Sequence, residues 1–178
     1  SGAMARESVV PSLSPSMDIQ VSSNFERLLF ELLDRDGSAT ADVMKQFAET
    51  GKFHVDASVL ARANALFSAY RLDDDGTIAE IAATAKQNNM TIDPHSAVGV
   101  YAARQAHADG TVPVDVSIVA LACAHPAKFD AAVKKATRVA PKLPPHLANL
   151  MKRPQRQQHV AATVDAVKSF VLDMRRGA

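Results

Sequence analysis

Two short turns contain the residues whose types and spacing could bind a ligand. Residues 93–96 (DPHS) lie directly before a predicted helix, and residues 123–128 (CAHPAK) follow the most apolar run of the chain. Ligands of open α/β sheets bind beyond the carboxyl ends of the strands. We therefore expect the two turns to form one wall of a ligand site. The alternative of equal weight is that both are only well-capped structural turns.

Other groups of reactive residues are incomplete. Residues 73–76 (DDDG) imitate a calcium loop, but positions one and twelve of that loop fall on Arg71 and Ala82, where carboxylates are required. Cys123 and His125 have the residue types of a thiol nucleophile and its base, yet nothing else completes such a site. The six histidines form no i, i+4 pair with a carboxylate partner, so we expect no metal site.

Composition excludes several classes of function. The 178 residues carry a net charge of +1, with 47% hydrophobic and 22% charged residues, which is typical of a globular protein. This balance gives no electrostatic reason to expect nucleic acid or an anionic membrane as partner. One cysteine excludes an internal disulfide. No apolar run is long enough for a membrane span, and no signal peptide opens the chain, so we expect a cytoplasmic protein.

The strands are predicted to be few and short. Residues 1–4 (SGAM) resemble a remnant of tag cleavage, and residues 5–15 are a Pro/Ser-rich linker or strand entry. Residues 18–22 alternate between polar and apolar types, which predicts a short strand. The apolar run at 114–122 predicts a strand buried on both faces, as in a parallel sheet covered by helices.

Helices dominate the remainder. Ser22 or Ser23 is predicted to cap a helix that ends at Leu33, and Glu26, three residues after Ser23, would complete a capping box. Gly51 is expected to end the second helix. The other predicted helices end near residues 70, 87, 107, 139 and 174, and the second begins near residue 40. The fold class is therefore α/β but predominantly helical, with few, mainly parallel strands. So few strands indicate a piece of a larger domain.

Four stretches in order resemble a known family. They are 14–29 (SPSMDIQVSSNFERLL), 50–56 (TGKFHVD), 93–100 (DPHSAVGV) and 124–129 (AHPAKF). As a set they resemble the C-terminal part of threonine synthase, in the longer form of many bacteria and fungi, over roughly residues 9–175. The resemblance implies a fold-type II pyridoxal-phosphate enzyme that converts O-phospho-L-homoserine and water to L-threonine and phosphate. Residues 16–178 would be the C-terminal portion of its large domain, with a helical insertion at about 38–90.

The resemblance also implies the roles of individual residues. Cys123 stands where relatives often carry a threonine whose hydroxyl faces the pyridine nitrogen, and a thiol is a weaker hydrogen-bonding group. Asp93 and His125 would line the same region, and Asn24 would approach the substrate side. Lys128 lies in a family motif, but not in the motif of the imine-forming lysine, so we assign it to structure or surface.

The resemblance places the catalytic machinery outside this sequence. The imine lysine, the glycine-rich phosphate loop and the substrate-phosphate site precede the matched region in the family. We therefore expect no catalytic residue in this chain, no bound pyridoxal phosphate and no activity for the chain alone. Its partner would be the N-terminal part of the same enzyme, and an exposed interface could drive self-association. The alternative is an autonomous helical interaction module without catalysis.

Overall fold

The computed structural model describes residues 1–176, which form two units, residues 1–142 and a second unit that begins at Leu143. The helices of the first unit are α1 (Phe25–Leu32), α2 (Gly37–Thr50), α3 (Ala57–Asn64), α4 (Asp74–Asn88), α5 (Pro94–Ala108) and α6 (Asp130–Thr137). The second unit contains α7 (Val164–Arg176). The predominantly helical fold is confirmed. Across residues 1–176, no helix combines the length and hydropathy needed to cross a membrane.

Local end signals explain helix α2. The Asp36 carboxylate accepts hydrogen bonds from the backbone N–H groups of Ser38 and Ala39, at 2.9 and 3.0 Å. This cap begins the helix three residues before the predicted start. Gly51 adopts a left-handed conformation with φ of 72° and ends the helix, as predicted.

The predicted capping box of α1 is wrong. Asn24 occupies the N-cap position in a helical conformation, and its side chain makes no capping hydrogen bond. The helix is still formed because its apolar stripe is buried: Leu29 and Leu32 are both shielded from solvent. Packing, rather than a cap, therefore stabilises this helix.

Helix α3 is shorter than predicted. It ends at Asn64 instead of near Tyr70. Leu66 and Phe67, which follow it, are largely exposed, so continuing the helix would bury little apolar surface. The Tyr70 hydroxyl instead donates a hydrogen bond to Asp109, just beyond α5. Hydrogen bonds from Thr111, and then from Tyr70, hold the pKa of Asp109 below its ordinary value.

The predicted strand at 18–22 is wrong. Residues 15–17 form a 3₁₀ turn, and the Asp18 carboxylate accepts hydrogen bonds from the backbone N–H and the hydroxyl of Ser12, both at 2.7 Å. These local hydrogen bonds satisfy the carboxylate within a turn, so the chain does not extend here.

The predicted parallel sheet is also wrong. Among residues 1–176, the sheet consists of β1 (Ala3–Ala5) and β2 (Lys52–His54), which are antiparallel, with Met4 opposite Phe53. Strand β1 lies in residues that the sequence assigned to a tag remnant and a linker. Those domain boundaries stay a prediction.

The apolar run at 114–122 has no regular secondary structure. Val114, Val119 and Leu121 are 84%, 80% and 78% exposed, so the predicted burial on both faces is wrong for this chain. A strand requires neighbours for its backbone N–H and C=O groups, and the described residues supply no adjacent strand. Ala120 lies next to α5: a Cβ added at Gly99 would be 3.8 Å from the Cβ of Ala120.

Two clusters form the core of the first unit. Leu29, Phe47 and Phe53 pack between α1, α2 and β2, with the Phe47 and Phe53 rings edge to face and 5.6 Å apart. Ile81, Ile92 and Ala97 form the second cluster, where α4 packs against α5 and α6. The second cluster lies directly under the turn that begins α5.

Replacing Ile81 with alanine tests this second cluster. Ile81 is fully buried, so Ile81→Ala should lower the free energy of unfolding by about 2–5 kcal/mol through lost burial and a residual cavity. Urea denaturation measures the change. Leu66→Ala, at a position 72% exposed, is the control and should change it by less than about 0.5 kcal/mol. Equal effects of the two substitutions would contradict this assignment of the core.

Candidate functional site

The turn before α5 is organised by Asp93. Its side chain is 1% exposed and caps the helix. Oδ1 accepts hydrogen bonds from the backbone N–H of His95 at 3.0 Å and of Ser96 at 3.4 Å, and Oδ2 accepts one from the Ser96 hydroxyl. Pro94 follows the cap at a position where it loses no helical hydrogen bond. Asp93 is therefore the N-cap residue of α5.

The imidazole of His95 joins this turn to a distant segment. Nε2 accepts a hydrogen bond from the backbone N–H of Ser16 at 3.1 Å, across 79 residues of sequence. An Nε2 that accepts a hydrogen bond carries no proton, so the proton of the neutral ring is on Nδ1. Nδ1 lies 3.1 Å from the Asp93 carboxylate, to which it donates. This arrangement assigns one tautomer to a side chain that is only 13% exposed.

The second turn is capped by His125. Residues Pro126–Phe129 form a 3₁₀ helix, and Nδ1 of His125 accepts a hydrogen bond from the backbone N–H of Ala127 at 3.1 Å. The neutral ring then carries its proton on Nε2, and the side chain is exposed. His125 can therefore donate a hydrogen bond to a ligand. Cys123, two residues earlier, is also exposed.

The two turns meet through a ring contact that the sequence did not predict. The rings of His95 and Phe129 lie with their centroids 4.8 Å apart, tilted by 56°. This contact places the two turns side by side. That they form one wall of a ligand site stays a prediction. The signal that could have revealed His95 is its place two residues after a capping aspartate, where its side chain can turn back to the carboxylate.

The role predicted for Asn24 on the substrate side stays a prediction. Asn24 is exposed at the start of α1, and among residues 1–176 no hydrogen bond of its side chain reaches either turn. The Lys128 ammonium lies 5.6 Å from the centroid of the Phe129 ring, a cation–π contact on the surface. That placement agrees with assigning Lys128 to the structure of the turn.

The residues present do not form a complete site for pyridoxal phosphate. The Asp93 carboxylate is buried and occupied by hydrogen bonds within its own turn. Cys123 and His125 are on an open surface rather than in an enclosed pocket. A cofactor site needs a concave surface that covers most of the ligand. These residues therefore do not enclose a pyridoxal-phosphate site by themselves.

Removing the Asp93 carboxylate tests the organisation of the first turn. Asp93→Ala should lower the free energy of unfolding by about 2 kcal/mol, because it removes a cap and leaves buried donors without a partner. Asp56→Ala is a matched control: Asp56 is the N-cap residue of α3, but its side chain makes no capping hydrogen bond. Thermal denaturation of both variants measures the difference. The assignment fails if Asp56→Ala is equally destabilising.

Comparisons with known proteins find similar sequences that together cover most of the chain. A family model described as "Threonine synthase, C-terminal" matches residues 96–171. The chain is 42% identical to threonine synthase of Pseudomonas aeruginosa, over 93% of this chain and 35% of that protein. It is 35% identical to threonine synthase of Corynebacterium glutamicum, over 90% of this chain and 33% of that protein.

Solved structures agree with the sequence matches. The chain superimposes on pyridoxal-phosphate-bound threonine synthase from Brucella melitensis with a TM-score of 0.79 and 39% identity, covering 96% of this chain and 36% of that one. Yeast threonine synthase gives a TM-score of 0.84 and 30% identity, covering 100% of this chain and 39% of that one.

These matches decide between the two functional expectations. The chain spans about a third of the length of the curated relatives, 35% and 33% of the two proteins named above. The matches extend over nearly all of it, from the region before α1 to α7, and nothing in them supports an autonomous interaction module. Over nearly its whole length, the chain is therefore similar to the C-terminal part of threonine synthases.

Proposed function

We propose that this chain supplies the C-terminal part of a cytoplasmic threonine synthase. The complete enzyme would convert O-phospho-L-homoserine and water to L-threonine and phosphate. The observation that carries this proposal is the superposition on a pyridoxal-phosphate-bound threonine synthase over 96% of the chain. When bound, the cofactor would supply an electron sink for carbanion chemistry.

The wall formed by the two turns is the contribution of this chain to the site. Cys123 and His125 are exposed on it, and His125 has an Nε2–H that can donate a hydrogen bond. We infer that these two side chains face the cofactor ring in the complete enzyme. Asp93 would support these two residues from inside the protein, because its carboxylate is buried and accepts hydrogen bonds from its own turn.

The apolar run at 114–122 is the proposed contact with the N-terminal part of the enzyme. Its outer side chains are exposed, and it ends at Cys123. Pairing of its backbone with strands of the N-terminal part would satisfy its N–H and C=O groups and bury the exposed side chains. In the absence of that partner, the same surface would favour self-association of this chain.

Activity measurements test the proposed division of the enzyme. The complete enzyme should release phosphate from O-phospho-L-homoserine and form L-threonine, whereas the 178-residue chain alone should form none. The chain alone should also give no stoichiometric, borohydride-stable adduct with pyridoxal phosphate, because the imine lysine is proposed to lie in the N-terminal part. Mass spectrometry after reduction measures this. A single modified lysine at full stoichiometry would refute that part of the proposal.

Substitutions of Cys123 in the complete enzyme test its place beside the cofactor ring. A threonine hydroxyl is a better hydrogen-bonding group than a thiol, so Cys123→Thr should tighten cofactor binding by about two- to tenfold, equivalent to one neutral hydrogen bond. Cys123→Ala should weaken binding by about twofold. Fluorescence titration with pyridoxal phosphate measures both. Leu66→Thr, on the exposed segment after α3, is the control. Identical affinities for all variants would exclude a contact at Cys123.

A further inference from the structure

We propose that His95 is a positioning residue of the active-site wall, which holds the turn at Pro126–Phe129 and with it the exposed residues Cys123 and His125. This inference rests on the proposed function. His95 is not among the residues expected to touch the cofactor. Its proposed role is to hold other residues in place.

Three separate parts of the chain fix the His95 ring. Asp93 accepts a hydrogen bond from Nδ1, the backbone N–H of Ser16 donates one to Nε2, and the Phe129 ring packs at 4.8 Å. The Asp93 carboxylate is itself immobilised by the start of α5. With both nitrogens and one side of the ring engaged, the imidazole has a single orientation that satisfies every contact.

The constraint extends from Phe129 to the proposed wall. Phe129 ends a turn of only four residues, and His125 caps the start of that turn. Two hydrogen bonds keep the turn intact, from the Lys128 N–H to the His125 carbonyl at 2.9 Å and from the Ala127 N–H to His125 Nδ1 at 3.1 Å. A displacement of Phe129 is therefore transmitted to His125. A shift of about 1 Å at reacting groups can cost a hundredfold in rate.

No other side chain reproduces the three contacts of His95. Glutamine can supply an acceptor for the Ser16 N–H, asparagine can supply a donor to Asp93, and neither provides a ring for Phe129. Replacement by either residue should therefore leave the fold in place while loosening the turn that carries His125.

A double-mutant cycle in the complete enzyme tests the proposal. His95→Gln and Phe129→Leu each remove the ring contact and should each lower kcat by about tenfold or more, with KM changed less than threefold. Because both substitutions break the same contact, the double variant should lose little more than the worse single variant. The absorbance band of bound pyridoxal phosphate should shift in all three variants. His95→Asn replaces His95→Gln in the cycle if the latter does not fold.

A variant in the other core cluster controls for general destabilisation. Phe47→Leu should lower the melting temperature but leave kcat and the cofactor spectrum unchanged, because Phe47 packs with Leu29 and Phe53. Losses of kcat that simply multiply in the double variant would overturn the proposal, as would a lower melting temperature with unchanged kcat and spectrum. A wild-type complete enzyme that forms no L-threonine would overturn the proposed function as well. An active wild-type enzyme without coupling in the cycle would overturn only the role of His95.

Discussion

The buried carboxylate of Asp93 is the interaction on which the candidate site depends. A carboxylate that is 1% exposed must be surrounded by donors, because an unpaired buried charge is costly. The donors come from the residues that immediately follow it, so satisfying the charge also sets the first turn of α5 and the orientation of the His95 ring. The long-range contacts to Ser16 and Phe129 are made by that oriented ring. The convergence of three distant segments therefore follows from one capping residue.

The helices could be predicted from sequence to the extent that their signals are local. Gly51 ends α2 and Asn89 ends α4 with a left-handed residue, as their residue types indicate. The predicted start of α2 near residue 40 missed the cap at Asp36, which lies four residues earlier. The capping box predicted at Ser23 is not formed, and burial of Leu29 and Leu32 stabilises α1 without it. Local patterns thus predict that a helix exists more reliably than where it begins.

The strands and the inner part of the site could not be predicted in this way. The apolar character of residues 114–122 is real, but a strand is defined by neighbours that the sequence of the strand does not contain. Strand β1 was missed because its residues were set aside as a tag remnant. The pairing of Ser16 with His95 spans 79 residues, and no pattern in either segment indicates the other. Residue types and spacing indicated the two turns, and only the structure showed that His95 and Phe129 join them.

The open run at 114–122 also has a consequence for synthesis on the ribosome. Under the proposed function, the N-terminal part of the enzyme emerges first and folds without this strand. At roughly 5–20 residues per second, translation of residues 1–122 alone takes about 6 to 24 seconds. During that time the nascent sheet has an unpaired edge, which is open to pairing with other chains.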